Sequence, residues 1–307
     1  MRSVLLRASR SAWLAEQFRR RSFAKRAVRR FMPGETPEAA LEAAATFAAN
    51  GMGSVLTALG ERVTNRAESE GVRDHYLEMF DRIKARGLPT HVSVKLSHLG
   101  LDIDGEACAH SLGLLAARAA AVESFLWIDI EESHYVDATL DLFRRTRSTH
   151  ERVGLCLQAY LRRTPADVES LMPLSPAIRL VKGAYREPPE LAFPKKSDTD
   201  AAYFAIGERL LRAAAKGAAF PVFGTHDMGL VERIRNKAGS LGVPQGGYEV
   251  HMLYGIKPAE QRALHAQRVT VRVLISYGTH WFPWYVRRLA ERPANVWFVA
   301  RSMLSRS

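Results

Sequence analysis

The apolar positions of this chain fall into short blocks of strand length, each followed by a longer stretch with helical spacing. Ser54 to Leu59 predicts a first strand, and Glu68 to Ala85 a helix that ends at Gly87-Leu88-Pro89. The alternation continues with strand-like Thr90 to Leu96 and helix-like Glu106 to Val122, then Ser124 to Ile130 and Tyr135 to Arg147. Val153 to Ala159 precedes a short helix at Asp167 to Met172, and Ile178 to Gly183 precedes Asp200 to Ala215. Phe220 to Gly224 leads to Gly229 to Gly239, Tyr248 to Met252 to Ala259 to Gln267, and Val271 to Ser276 to Phe282 through Arg292.

Regular strand–helix alternation implies a parallel sheet, and eight units imply closure as a (β/α)8 TIM-type barrel. An open doubly wound sheet is the competitor, but it normally has fewer strands, and no G-x-G-x-x-G follows the first strand. Ahead of the barrel, Pro33-Gly34 is a breaker and Thr36-Pro37 opens an Ala-rich helix closed near Asn50-Gly51. The expected division is therefore a helical extension at 1–50 packed on a barrel at 51–307. The longest irregular stretch, Arg186 to Ser197, follows strand five and is a candidate lid over the barrel mouth.

Composition is ordinary for a globular chain of 307 residues, 47% hydrophobic and 25% charged. No run approaches the roughly 20 apolar residues of a membrane span. Two cysteines, Cys108 and Cys156, both in apolar stretches, argue against a disulfide framework and for a reducing compartment. The expected location is cytoplasmic. The formal charge of +12 alters the picture more. Residues 1–31 carry ten Arg or Lys and one acid, Glu16. Two readings of this segment stay open: a basic amphipathic helix that docks on the barrel or an anionic membrane face, and a cleaved transit peptide.

Functional groups of a parallel barrel collect at the C-terminal ends of its strands. Lys95 ends strand two, Asp129 and Glu131 end strand three, and Gln158 ends strand four. Arg179 and Lys182 fall in strand five, Thr225-His226-Asp227 follow strand six, and His251 closes strand seven. One such charge is a solvated chain exit; this many at one rim make a mixed-charge pocket that a ligand or ion pairs must satisfy. Asp129 and Glu131 share one side of a two-residue repeat, whereas Arg179 and Lys182 have opposite parity, a conflict that a bulge at Gly183 would resolve. After strand eight, Glu291 lies within helical reach of Arg287 and Arg288, as a surface pair or as part of a carboxylate clamp. The histidines are scattered and the cysteines far apart, so no metal-ligand set is expected.

These residues resemble the proline dehydrogenase family in its compact, FAD-dependent bacterial form. The blocks that carry the resemblance are Val94-Lys95-Leu96-Ser97, Ile128-Asp129 with Glu131-Glu132, Leu157 through Arg163, and Arg179 through Tyr185. Gly224-Thr225-His226-Asp227, Glu249 to Gly255, and Arg287 through Arg292 complete them. The resemblance implies that Lys95, Arg287 and Arg288 bind the substrate carboxylate, with Glu291 bonded to the arginines. It implies Asp129 as an active-site acid and Arg179 as a donor toward flavin N5. Ile130, Gln158, Lys182, Gly183, Ala184, Thr225 and His226 would line FAD, and Tyr185 and Leu253 would wall the substrate. The implied reaction moves a hydride from C5 of proline to flavin N5, giving Δ1-pyrroline-5-carboxylate, and passes the electrons to a quinone.

Two positions depart from the family pattern. Leu274 stands where the family has tyrosine, with Ser276 in place of proline, and Trp284 replaces a second pocket tyrosine. Both aromatic-site changes remove a hydroxyl, so a different cyclic or secondary amino acid is the alternative substrate. An aldolase-type barrel using Lys95 or Lys182 as a Schiff-base nucleophile is a rival class. Nucleic-acid binding has no zinc-finger, RNP or P-loop motif to support it.

Overall fold

The computed structural model describes residues 28–282 together with 285 and 286. Among these, eight parallel strands close in chain order: β1 (Gly53–Ala58), β2 (Thr90–Lys95), β3 (Leu126–Asp129) and β4 (Val153–Gln158) are followed by β5 (Ala177–Val181), β6 (Phe220–Gly224), β7 (Glu249–Leu253) and β8 (Thr270–Tyr277). The ring shuts where β8 pairs with β1, Gly53 opposite Arg272 through Ala58 opposite Tyr277. This is the expected (β/α)8 barrel. Helix α1 (Pro37–Ala49) precedes it, and α2 (Arg66–Ala85), α3 (Gly105–Ala121), α4 (Val136–Arg147), α5 (Thr164–Leu171), α6 (Lys196–Ala214), α7 (Met228–Ser240) and α8 (Pro258–Ala266) link the strands.

The strands are buried on both faces because helices cover the outside and side chains fill the inside, which explains their near-continuous apolar runs. Outward-facing Leu56, Val94, Ile128, Leu155, Leu180 and Phe223 pack with helix residues such as Phe80, Leu112, Phe143 and Tyr203 in one continuous core. Inside the barrel, Val55, Trp127, Ala177 and Val222 form a separate apolar cluster. Beside it lies a buried polar network: Arg272 Nε donates to both carboxylate oxygens of Glu249 at 3.0 and 2.9 Å, and His251 Nε2 meets Glu249 Oε2 at 2.9 Å. The lumen is thus a plug, and only its C-terminal end is open to ligand.

Helix α1 lies along the wall at β1 and β8, burying Ala40, Leu41 and Ala44, with Thr36 Oγ1 capping Ala39 N and Pro37 in the first turn. Trp281 Nε1 donates to Glu35 Oε1 at 2.8 Å and Tyr285 packs near Phe31, so the chain after β8 starts against residues 31–35. Residues 1–27, with the basic segment, lie outside the described residues, as do Trp284, Arg287, Arg288 and Glu291.

Seven of the eight strands have an end that differs by one or two residues from the expected one, and three of these differences bear on the lumen or the mouth. β3 starts at Leu126, because Glu123 turns in the left-handed region (φ 59°) and Ser124 Oγ donates to Thr90 O. β5 stops at Val181, not Gly183, so Lys182 belongs to the loop beyond. β7 continues past His251 to Leu253. None of the described helices is long and apolar enough to cross a membrane.

Candidate active site

A cavity of about 570 Å³ opens at the C-terminal ends of the strands. Its walls collect Lys95 from β2, Asp129 and Ile130 from β3 and its exit, Gln158 from β4, and Arg179 from β5. Lys182, Gly183, Ala184 and Tyr185 enter from the loop after β5, Thr225 and His226 from the loop after β6, and Leu253 and Leu274 from β7 and β8. The residues expected to hold substrate or flavin that fall within the described residues all line this one space.

The charged centre is built by strand register. Lys95 and Asp129 are Cα partners on β2 and β3, which brings Lys95 Nζ to 4.0 Å from Asp129 Oδ2. Arg179 Nη2 reaches across the lumen to Asp129 Oδ1 and, at 2.8 Å, to Ser93 Oγ; that hydroxyl also donates to Asp129 Oδ1 at 2.8 Å. Arg179 is 2% exposed, and its Nη1 is buried without a hydrogen-bond partner. A guanidinium carries five donors, and an unsatisfied one in a dry wall costs on the order of 1–3 kcal/mol.

Around this centre the supporting groups are fixed. Gln158 Nε2 donates to Glu131 O at 2.9 Å, leaving Oε1 toward Ala184 N at 3.4 Å. Leu253 N donates to His226 Nε2 at 2.8 Å, which leaves the imidazole proton on Nδ1. Gly183 adopts φ 124°, and a Cβ there would lie 2.2 Å from Tyr160 Cδ1, so only glycine lets the chain pass this ring. Lys182 Nζ sits between Asp227 Oδ2 at 2.8 Å and Asp200 Oδ1 at 2.5 Å. Asp227 in turn caps α7 through Leu230 N, and its carboxyl is held down at about 2, chiefly by the Lys182 hydrogen bond.

A second cavity of about 800 Å³ adjoins the first and shares Lys182, Gly183, Tyr185 and Lys196 with it. Lys195 and Arg186 add to its positive lining. The irregular stretch after β5 bounds this chamber and is tied down: Glu187 accepts from Ser133 N and Oγ, both at 2.7 Å, and Ala192 bridges to Leu161.

Two expectations are corrected. Arg179 and Lys182 reach one cavity without a bulge, because the strand ends at Val181 and parity no longer binds Lys182. Glu131 does not share the lumen with Asp129; it lies past the strand, buried, and accepts from Ser97 N at 3.0 Å and from Ser97 Oγ. Burial pushes its carboxyl up, against the Ser97 bonds. It anchors the loop after β2. Sequence reasoning missed Ser93, Lys196 and Asp200. Ser93 had a readable signal, since it shares strand parity with Lys95; the other two are surface-type residues until the fold brings α6 to the mouth.

Comparison with known proteins places this arrangement. The model of the family described as Proline dehydrogenase matches residues 40–301. Proline dehydrogenase of Deinococcus radiodurans is 35% identical over 284 residues, covering 90% of this chain and 89% of the relative. Proline dehydrogenase 1 of Bacillus subtilis (strain 168) is 31% identical over 278 residues, covering 91% of each. Among solved structures, proline utilization A from Bdellovibrio bacteriovorus, inactivated by N-propargylglycine, superposes with a TM-score of 0.81 at 23% identity, over 87% of this chain. A proline utilization A variant from Bradyrhizobium japonicum gives 0.73 at 26% identity over 91%. This chain spans about a third of those two longer proteins, 33% and 32%.

Proposed function

The chain belongs to the proline dehydrogenase family of oxidoreductases, and from that premise we propose that it is an FAD-dependent enzyme that oxidises L-proline to Δ1-pyrroline-5-carboxylate. The observation that carries the proposal is the Arg179–Asp129 pair set in the wall of the cavity, with Lys95 beside it. A flavin ring against that wall would lie beside the guanidinium, and a cation there favours electron-rich, reduced flavin. The adjoining chamber, with Lys182, Lys195, Lys196 and Arg186, fits the diphosphate of a dinucleotide.

FAD, when bound, supplies the two-electron acceptor that takes the hydride from proline C5. The chain's own groups supply placement. Lys95, only loosely engaged by Asp129 at 4.0 Å, would hold the substrate carboxylate, with Arg287 and Arg288 completing the clamp from beyond the described residues. Fixing a small substrate by its one charged end sets the donor carbon in a near-attack geometry. Asp129, pinned by Arg179 and Ser93, would keep its carboxylate beside the substrate amine. The amine nitrogen gives up its proton to solvent as the C5–N double bond forms. A quinone would be the final acceptor of the two electrons, and the basic N-terminal segment would serve docking at an anionic membrane.

Leu274 supports a second reading of the substrate. It lies opposite Leu253 in register and presents an aliphatic wall to the cavity. A bulkier or N-methylated cyclic amino acid would suit that wall. Purified protein should show oxidised-flavin absorbance that bleaches on anaerobic addition of proline. A panel of cyclic and N-methylated amino acids then ranks the donors. Protein that stays colourless after reconstitution with FAD would refute the proposal.

A further inference from the structure

Trp127 has no part in the reading of the site above, yet it sits under the guanidinium at its centre. It lies on β3 two residues before Asp129, on the lumen side, with none of its surface exposed. The Arg179 guanidinium carbon stands 5.1 Å from the centroid of its ring, within cation–π range. The ring is itself fixed from three sides. Its Nε1 donates to His91 Nδ1 at 3.2 Å, His251 meets it edge-on at 5.6 Å between centroids, and Phe125 packs at 5.0 Å.

The neighbouring strand makes room for it. Gly154 on β4 pairs in register with Trp127, and a Cβ at Gly154 would come within 2.5 Å of Trp127 Cζ3. No alanine or larger residue fits there unless the indole moves.

We infer that Trp127 is a positioning residue: its indole face holds the Arg179 guanidinium so that Nη2 engages Asp129 and Ser93 and the cation stays in the cavity wall. The inference rests on the flavin reading of this site. Asp129 and Ser93 restrain the guanidinium through Nη2 alone, about which the group could tilt. A ring against the guanidinium removes that freedom, because a desolvated cation–π contact favours one placement of the cation over the ring face. Misplacing the cation would weaken stabilisation of the reduced flavin.

The test measures the bound flavin directly. In W127L, the midpoint potential should fall by the equivalent of about a tenfold change in equilibrium constant, about 30 mV for a two-electron couple. The rate of flavin reduction should drop about tenfold, while W127F, which keeps an aromatic face, should lose less than about threefold. In an R179M background, W127L should have no further effect on either quantity. Because leucine leaves a cavity that could cost stability, a second experiment keeps the lumen filled. Biosynthetic replacement of the five tryptophans by fluorinated analogues should lower the potential stepwise with fluorine count, and W127F protein should be blind to it. A yellow, folded protein whose potential ignores ring fluorination, or a W127L effect that persists in R179M, overturns the inference. A protein that takes up no flavin overturns the reading beneath it, and this inference with it.

Discussion

The barrel lumen holds two charged clusters, and they are built on different terms. Near the start of β7 and β8, Glu249 is engaged by Arg272 and His251, and Arg272 Nη1 is further satisfied by Pro89 O at 2.8 Å. At the other end, Asp129 is likewise engaged by Arg179 and Ser93, but Arg179 keeps a buried donor unpaired and Lys95 stands 4.0 Å from its nearest carboxylate oxygen. The first cluster closes its ion pair within the protein and supports the plug. The second leaves cationic capacity facing a cavity. Buried charge thus distinguishes nothing alone, and neither does an unpaired polar atom, since His251 Nδ1 of the first cluster is also buried without a partner; what differs is that Lys95 and Arg179 line the cavity and Arg272 does not.

The comparison can be broken at either end. Glu249→Ala should have the largest effect, destabilising by about 3–5 kcal/mol, because Arg272 loses its counter-charge and His251 its hydrogen-bond partner in the interior. The flavin spectrum of whatever protein folds should be unchanged. Thermal unfolding checks this, and a variant as stable as the parent would mean the network contributes little. Arg179→Met is the mirror experiment: flavin reduction should slow by about 10²–10³-fold with little loss of stability. If that variant melted far below the parent, Arg179 would belong with the structural cluster.

Acid sharpens the contrast. Burial pushes His251 down to about 4 from 6.5, against the pull of Glu249. At Glu249 burial pushes the carboxyl up, but His251 and Arg272 outweigh it and bring the group to about 2 from 4.5. Both folded values lie below the unfolded ones. The stability they contribute is therefore present above about 6.5 and 4.5 respectively, and lost as pH falls through about 4 and then about 2. The His251 part is on the order of 2–3 kcal/mol. His251→Gln should flatten the stability profile between pH 6.5 and 4, and a slope unchanged by that substitution would assign the acid sensitivity elsewhere.

Smaller effects are expected at the edges of the mouth. Lys182→Met should weaken FAD binding by about tenfold, since it removes one charge-assisted contact, with reduction rate at saturating FAD nearly unaffected. Equilibrium dialysis of FAD reads this out. Leu274→Tyr should raise turnover of proline relative to bulkier amines by several-fold, on the order of 1 kcal/mol. Unaltered preference would show that the wall opposite Leu253 does not select the substrate.

Which site residues can be read from the chain follows from strand geometry. Lys95, Asp129, Gln158 and Arg179 stand at strand ends with lumen parity, so their convergence follows once the barrel is recognised. Glu131 is misread from the pattern because two-residue alternation holds only while the strand lasts, and β3 ends at Asp129. The same limit removes the apparent conflict at Lys182. Ser93 and Trp127 escape notice because neither residue type stands out in a buried strand. Their importance lies in what other strands bring to them: an arginine reaching over from β5 and a glycine in register on the neighbouring β4.

The sequence by itself determined the alternation, the count of eight units and the family, because period, turn chemistry and motif order are properties of neighbours along the chain. Tertiary structure alone decided where the charges balance. Whether Arg179 ends with a spare donor, or Glu249 with an arginine and a buried imidazole, depends on register between strands far apart in the chain and on a closed lumen that excludes water from both.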